Sequence, residues 1–141
     1  MIRWIAFAAG LLGAVGVALG AFAAHGLEAK LEADGYSAAE VAKKLATCEI
    51  AVRYHLIHAV ALLALAAPPA DVAPKRRNLA TLFFLAGLGM FCGILYAQAM
   101  AGLIGFNLIV PLGGVCFILG WLTITLATIH ARGHALPPAG R

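Results

Sequence analysis

The chain has 141 residues, of which 63% are hydrophobic and 11% are charged, and its mean hydropathy is +0.96. This composition excludes an ordinary soluble domain and indicates one small membrane domain. The net charge of +4 does not indicate nucleic-acid binding, because the basic residues are dispersed and do not alternate with aromatic residues. We therefore expect the lipid bilayer, and no nucleic acid, to be a partner of the chain.

Four apolar stretches follow one another along the chain and predict four transmembrane helices. A membrane-spanning helix needs about 20 mostly apolar residues. Three of the stretches reach that length, whereas the second runs only from Tyr54 to Ala67 before Pro68. We expect this second helix to begin upstream and to carry polar residues into the interfacial layer. The predicted spans are residues 4–24, 47–67, 79–101 and 111–131.

An amphipathic helix is predicted between the first and second spans, over residues 37–47. Ser37 begins it, and Glu40 three residues later completes a capping box. Apolar residues then recur at helical spacing, beginning with Val41 and Leu45. We expect this helix to lie along the outer surface or on the bundle, and either to bend or to run straight into the second span.

Basic residues predict the orientation of the chain. Lys75, Arg76 and Arg77 lie in the short loop between the second and third spans, where the positive-inside rule predicts the cytoplasmic side. With four spans, both termini are then cytoplasmic. We expect an all-α, integral membrane four-helix bundle in the cell inner membrane, with a single domain over residues 1–132 and a flexible tail at residues 133–141.

Glycines in three of the spans indicate close helix packing. Small residues every three or four positions let helix backbones approach in lipid, where the hydrophobic effect no longer pulls helices together. Gly16 and Gly20 form a GxxxG pair, for which we favour packing within the bundle over dimerisation. The predicted packing glycines are Gly13, Gly16, Gly20, Gly89, Gly93, Gly113 and Gly114.

Most polar residues at membrane depth fall at one predicted level, near the outer ends of the spans. Polar side chains in a membrane are costly unless they are paired, so a shared level suggests that they pair with one another. The candidate polar cluster consists of His25, Glu49, Arg53, Tyr54, His58, Tyr96, Gln98 and Asn107.

Members of this cluster also have purely structural interpretations. Glu49 and Arg53 are spaced for an intrahelical ion pair, which contributes only about 0.3–0.5 kcal/mol when it is exposed. Tyr54 suits an interfacial anchor. His58 more often hydrogen-bonds a neighbouring helix than it binds a ligand, although its protonation is a conceivable switch.

The sequence carries no motif that names a reaction or a cofactor. Its three cysteines are scattered singly, which argues against a redox pair or a zinc site. Haem held between two helices would use His25 and His58, but His25 ends its helix, where haem would be partly in water. The first, third and fourth spans lack the midplane charge that is typical of transporters. We therefore expect no enzyme, no cofactor and no metal site.

Four segments of the chain resemble a known family of membrane proteins. They are GAFAAHGLEAKL from Gly20, CEIAVRYHLIHAVALL from Cys48, GMFCGILYAQAM from Gly89 and VPLGGVCFILGWLTI from Val110. In this order and spacing they resemble the domain of unknown function 423 family, small bacterial inner-membrane proteins with a eukaryotic relative called transmembrane protein 256. The matching positions are Gly20, His25, Gly26, Leu27, Tyr54, His58, Gly93, Leu95, Tyr96, Pro111, Gly113, Gly114, Gly120 and Trp121.

The resemblance implies an integral membrane protein with no assigned activity, so it adds fold and location but no chemistry. The chain departs from the family pattern in an insertion-like stretch around residues 34–37. It also departs at His55, where the family often has a glutamine-like polar residue. We therefore expect His55 to be the weakest member of the polar cluster.

Two functional hypotheses remain open from the sequence. The leading one is a non-enzymatic membrane protein that acts by packing, as an accessory subunit of a larger complex or as a homo-oligomer. It is motivated by the glycine-rich helix faces and by the lack of a midplane charge. The alternative is a small-molecule or proton-linked binding or transport module, in which His25, Tyr54, His58 and Tyr96 form an outward-facing pocket.

Overall fold

The computed structural model describes residues 2–67, 73–102, 105 and 108–133, with residues 128–133 described by their backbone alone. Within these residues the chain is helical and contains no strand. The elements are α1 (Ile2–His25), α2 (Leu27–Ala33), α3 (Ala38–Ala66), α4 (Pro74–Gly87), a π-helical segment (Leu88–Gly93), α5 (Ile94–Ala101) and α6 (Ile109–Gly133).

Four helical stretches in the described residues are long and apolar enough to cross a membrane. The first and second are α1 and α3. The third span, Pro74–Ala101, is formed by α4, the π-helical segment and α5, and the fourth lies in α6, over Ile109–Ala127. This confirms the predicted all-α membrane protein with four spans.

Helix α3 is one uninterrupted helix of 29 residues, so the predicted amphipathic segment and the second span belong to the same helix. It begins at a capping box. The Glu40 carboxylate accepts a hydrogen bond of 2.9 Å from the backbone N–H of Ser37 and one of 2.7 Å from the Ser37 hydroxyl. At about 1.5 Å per residue the helix is about 43 Å long, which exceeds the hydrocarbon core of about 30 Å. The first turns of α3 therefore extend beyond the apolar layer.

Two other span boundaries differ from the predicted ones. The third span begins at Pro74 rather than at residue 79, because proline lacks the N–H that stays unpaired in a first helical turn. Helix α6 begins at Ile109 rather than at residue 111. Of the predicted tail at residues 133–141, Gly133 is the last residue of α6, and residues 134–141 lie outside the described residues.

The helices are arranged around α3. Helix α1 packs mainly against α3, α3 also packs against the third span, and the third span packs against α6. The larger buried apolar cluster joins all four spans, with Ile5, Leu62, Phe84 and Phe117 among its members. A second cluster, around Leu27, joins α2, the first turns of α3 and the end of α5, and we call this end of the molecule the α2 end.

Three of the predicted packing glycines lie at helix–helix contacts. A Cβ atom at Gly16 would be 2.7 Å from a side-chain carbon of Leu56, and one at Gly20 would be 3.1 Å from Val52. Both contacts join α1 to α3. A Cβ atom at Gly113 of α6 would be only 2.5 Å from the backbone nitrogen of a π-helical residue, Phe91.

The packing prediction was wrong for Gly13 and Gly89 within the described chain. A Cβ atom at either position would meet no atom of another helix within 4 Å, so neither glycine is needed for close approach within the described chain. At Gly93 and Gly114 the nearest atoms are at ordinary contact distance, 3.8 and 3.9 Å. These two glycines are therefore not required for close approach.

Two glycines that the prediction omitted do allow close packing between the third span and α6. A Cβ atom at Gly87 would lie 2.5 Å from the ring of Phe117, and one at Gly120 would collide with the ring of Phe84. The glycines therefore act in a reciprocal pair, each making room for an aromatic ring of the facing helix.

Candidate functional site: two histidines on the central helix

His58 lies on α3, 3% exposed, where α3 meets the third span and α6. Its Nδ1 is 2.8 Å from the Tyr54 carbonyl oxygen, one turn earlier. The indole N–H of Trp121 on α6 donates to Nε2 at 3.2 Å. Because an indole nitrogen only donates, Nε2 is the acceptor and Nδ1 carries the proton that is donated to Tyr54. The ring is a neutral imidazole with both nitrogens hydrogen-bonded.

Aromatic rings surround His58. Phe117 stacks on it, with 3.6 Å between ring centroids and 13° between the ring planes. Phe84 meets it edge-on at 5.3 Å, and Trp121 meets Phe84 in the same way at 5.2 Å. We call His58, Tyr54, Phe84, Phe117 and Trp121 the His58 network. It joins three of the four spans through large side chains.

The His58 network lies deep within the spans. His58 is eight residues, or about 12 Å, from the end of α3 at Ala66, and Trp121 is twelve residues, or about 18 Å, from the start of α6. The prediction placed His58 in an outer layer together with His25. It was wrong because residues from the middle of α6 and from α4 meet His58 well inside the span.

His55 is also buried, although the sequence suggested that it is the weakest cluster member. Its Nδ1 lies 3.2 Å from the Tyr96 hydroxyl of α5, whereas its buried Nε2 has no hydrogen-bond partner within the part of the chain that the structure describes. A Cβ atom at Gly16 of α1 would be 3.5 Å from the His55 ring, so this glycine makes room for it. A signal existed, because His55 lies seven residues after Cys48 and so continues the apolar stripe of α3.

Among the described residues, Glu49, Arg53 and His25 join neither histidine. The carboxylate of Glu49 and the guanidinium of Arg53 are 3.5 Å apart, and their side chains are 73% and 66% exposed. Such a pair contributes little to stability. His25 is exposed, and Asn107 lies outside the described residues. The Tyr54 side chain is 41% exposed, so it joins the network at its edge.

Gln98 contributes through its backbone to a contact that the sequence did not predict. The ammonium group of Lys44 donates to the carbonyls of Gln98, at 3.0 Å, and Ala99, at 3.4 Å, and lies 4.4 Å from the ring centroid of Tyr36. The last carbonyls of a helix lack intrahelical partners and attract a cation. Lys44 thus attaches the first turns of α3 to the end of the third span.

The geometry of His58 limits its chemistry. Both ring nitrogens are engaged, so binding of a metal or of haem iron requires loss of the Trp121 hydrogen bond. Protonation of Nε2 would likewise oppose two donors and break that bond. Among the residues that the structure describes, no group of three or more His, Cys, Asp or Glu side chains is arranged to hold a metal. The His58 network is suited to joining helices.

Comparison with known proteins identifies related chains. A family model described as a protein of unknown function (DUF423) matches residues 19–114. The UPF0382 membrane protein YwdK of Bacillus subtilis is 35% identical over 128 residues, covering 84% of this chain and 94% of the relative. A UPF0382 membrane protein of Haemophilus influenzae is 34% identical over 116 residues, covering 82% and 86%. No solved structure matches the chain.

A further relative indicates the location. The UPF0382 inner membrane protein YgdD of Escherichia coli is 29% identical over 135 residues, covering 92% of each chain. Together with the four apolar helices, this supports a multi-pass protein of the inner membrane. Because the family model matches more than half of the residues, and relatives above 30% identity are covered over most of their length, the chain belongs to the DUF423 family.

Proposed function

We propose that this protein acts without catalysis, by lateral packing against another transmembrane helix, as an accessory subunit of a membrane complex or as a homo-oligomer. The observation that carries the proposal is an exposed stripe on the outward face of α1 in which three of the four residues are glycine or alanine. Gly10, Ala14, Val17 and Ala21 are spaced by four, three and four residues, and all four are exposed in the single chain. We call these residues the α1 stripe.

Glycines on α1 differ in what they contact. A helical glycine is about 1 kcal/mol less favourable than alanine, and Gly16 and Gly20 offset this through their contacts with α3. A Cβ atom at Gly10 or Gly13 would meet no atom of another helix within 4 Å in the described chain. Phe7, 73% exposed, adds a large side chain to the same outward face. Small residues beside large ones form a groove that suits a second helix.

The histidines support packing over the alternative of a binding or transport pocket. Transport sites in membranes line water-filled cavities, whereas aromatic rings surround His58. Of the four side chains in the alternative pocket, His25, Tyr54, His58 and Tyr96, the structure brings only Tyr54 and His58 into ring contact. Tyr96 instead bonds to His55.

Native mass spectrometry in a mild detergent tests the proposed association. The test variant is Gly10→Leu/Ala14→Leu, and the matched control is Val115→Leu on the exposed surface of α6. We expect wild type and control to retain a second copy or another membrane subunit, and the test variant to lose it at an unchanged melting temperature. A second copy indicates a homo-oligomer, and a different mass indicates an accessory role. Bare monomers in all three samples would contradict the proposal.

We also propose that both termini face the cytoplasm. The basic residues Lys75, Arg76 and Arg77 begin the third span, at the end of the molecule opposite the α2 end. Arg76 donates to the Leu126 carbonyl of α6 at 2.6 Å, which joins the first turn of the third span to α6. Such clusters favour the cytoplasmic side.

Cysteine labelling tests this orientation, in a variant whose three cysteines are replaced by alanine. With a membrane-impermeant maleimide, Glu32→Cys on α2 is expected to react in intact spheroplasts. Lys75→Cys is expected to react only after permeabilisation. The reverse pattern would overturn the proposed orientation.

A further inference from the structure

A cleft of about 510 Å³ lies between α1, α2 and α3 at the α2 end. Its floor is the contact between Gly20 of α1 and Val52 of α3. Beyond this floor, Ala23 of α1 and Ala46 of α3 are among the residues that line the walls. Alanine side chains are too short to fill the space between the two helices. The cleft therefore has the size and the apolar walls that are typical of a small-molecule site.

Two carboxylates also line this cleft, Glu28 of α2 and Glu49 of α3. Among the described residues that line it, none is basic. The guanidinium of Arg53 lies 3.5 Å from Glu49, and both side chains are largely exposed, so Arg53 neutralises Glu49 only weakly. The cleft therefore presents acidic groups above an apolar floor, with one cation beside them.

The position of the cleft matches the headgroup layer of a membrane. It lies beside the first turns of α3, which extend beyond the hydrocarbon core because α3 is longer than that core is thick. A ligand at this level would have its polar group near the two carboxylates and its apolar part toward Val52. A phospholipid has a polar headgroup and apolar chains, and a headgroup with a positively charged group complements the two acids.

We propose that this cleft binds the headgroup of a phospholipid that carries a primary ammonium group, such as phosphatidylethanolamine. The ammonium group lies between Glu28 and Glu49. The phosphate lies toward Arg53, and the glycerol region contacts the alanine walls. Recognition thus uses charge complementarity at both ends of a zwitterionic headgroup. This site is separate from the α1 stripe, so either proposal can fail alone.

Native mass spectrometry of the full chain tests this proposal, with phosphatidylethanolamine and phosphatidylglycerol added at equal concentration. We expect wild type to retain the ethanolamine lipid about tenfold more than the glycerol lipid. The charge variant Glu28→Gln/Glu49→Gln is expected to lose this preference. The control Glu32→Gln changes an exposed acid of α2 outside the cleft and is expected to keep it.

A second variant tests whether the open volume of the cleft is needed for binding, independently of its charge. Ala46→Leu fills the cleft and is expected to reduce retention of the ethanolamine lipid while the melting temperature stays within the range of the control. Equal retention of the two lipids by wild type would overturn the proposal. A preference that survives both Glu28→Gln/Glu49→Gln and Ala46→Leu would also overturn it, because it would arise elsewhere on the protein.

Discussion

Helix α3 contacts its neighbours with different kinds of side chain on its two sides. Toward the third span and α6, the contacts are large aromatic rings and the hydrogen bond from Trp121 to His58. The rings of Phe84 and Phe117 fit against glycines of the facing helices. We call this the aromatic side. Its large side chains make their contacts largely within the chain.

Toward α1, the closest contacts are made by small residues of α1. Gly16 and Gly20 meet Leu56 and Val52, and beyond Gly20 the alanines leave the cleft between the helices. The outward face of α1 carries the exposed α1 stripe. Both sides hold helices together, but with different residues, and the two proposals place lipid and helix binding on the α1 side.

The largest effect is expected where α6 packs against the backbone of the π-helical segment, next to the aromatic side. Gly113→Ala places a methyl group 2.5 Å from the backbone nitrogen of Phe91, which cannot rotate away as a side chain can. We expect a loss of about 1–3 kcal/mol in the free energy of unfolding, measured by detergent-denaturant titration. The control is Gly114→Ala, whose methyl group finds its nearest neighbours at 3.9 Å.

At Gly114 the substitution is expected to be neutral or to stabilise by up to about 1 kcal/mol, because alanine favours the helix. If Gly113→Ala were as mild as Gly114→Ala, the tight packing of the aromatic side would be contradicted.

An intermediate effect is expected for the hydrogen bond between His58 and Trp121. Trp121→Phe leaves the buried Nε2 of His58 without a donor, at an expected cost of about 1–2 kcal/mol. The double variant His58→Phe/Trp121→Phe removes both partners. In a double-mutant cycle we expect it to cost about 1 kcal/mol less than the sum of the single variants. Additive costs would show that the bond does not couple α3 to α6.

A smaller effect is expected for the hydrogen bond of His55, which lies nearer α1. Tyr96→Phe removes the hydrogen bond between the Tyr96 hydroxyl and the His55 ring, so we expect a loss of about 0.6 kcal/mol, the average for such bonds in membranes. Tyr54→Phe is the matched control, since its side chain is 41% exposed. Thermal unfolding measures both variants. A loss larger than that of Trp121→Phe would reverse the ranking of the two histidines.

Local features of the sequence were sufficient to predict much of the fold. The four spans follow from the length and apolar content of their own segments. The capping box at Ser37 is likewise contained in four residues. The burial of His55 follows from its position seven residues after Cys48 on the apolar stripe, whereas the resemblance to the family pattern predicts it to be the weakest member of the cluster.

The partners of the polar residues were not predictable in the same way. Trp121 is 63 residues from His58, and Lys44 is 54 residues from the carbonyl of Gln98 that it contacts. Which side chains face each other across two helices depends on helix rotation and depth. Hydrophobicity hardly constrains these quantities, because a span is apolar on all sides.

The sequence by itself determined that this protein lies in a lipid bilayer, that it has four spans and which family it belongs to. The length of the apolar stretches and the order of the motifs are properties of the chain alone. Only the tertiary structure decided which glycines are packed and which histidine nitrogens are bonded. The reason is that every apolar face of a helix is equally stable in contact with lipid. Steric fit and hydrogen bonding between facing helices therefore determine which residues are in contact. This choice separates the aromatic side of α3 from its α1 side.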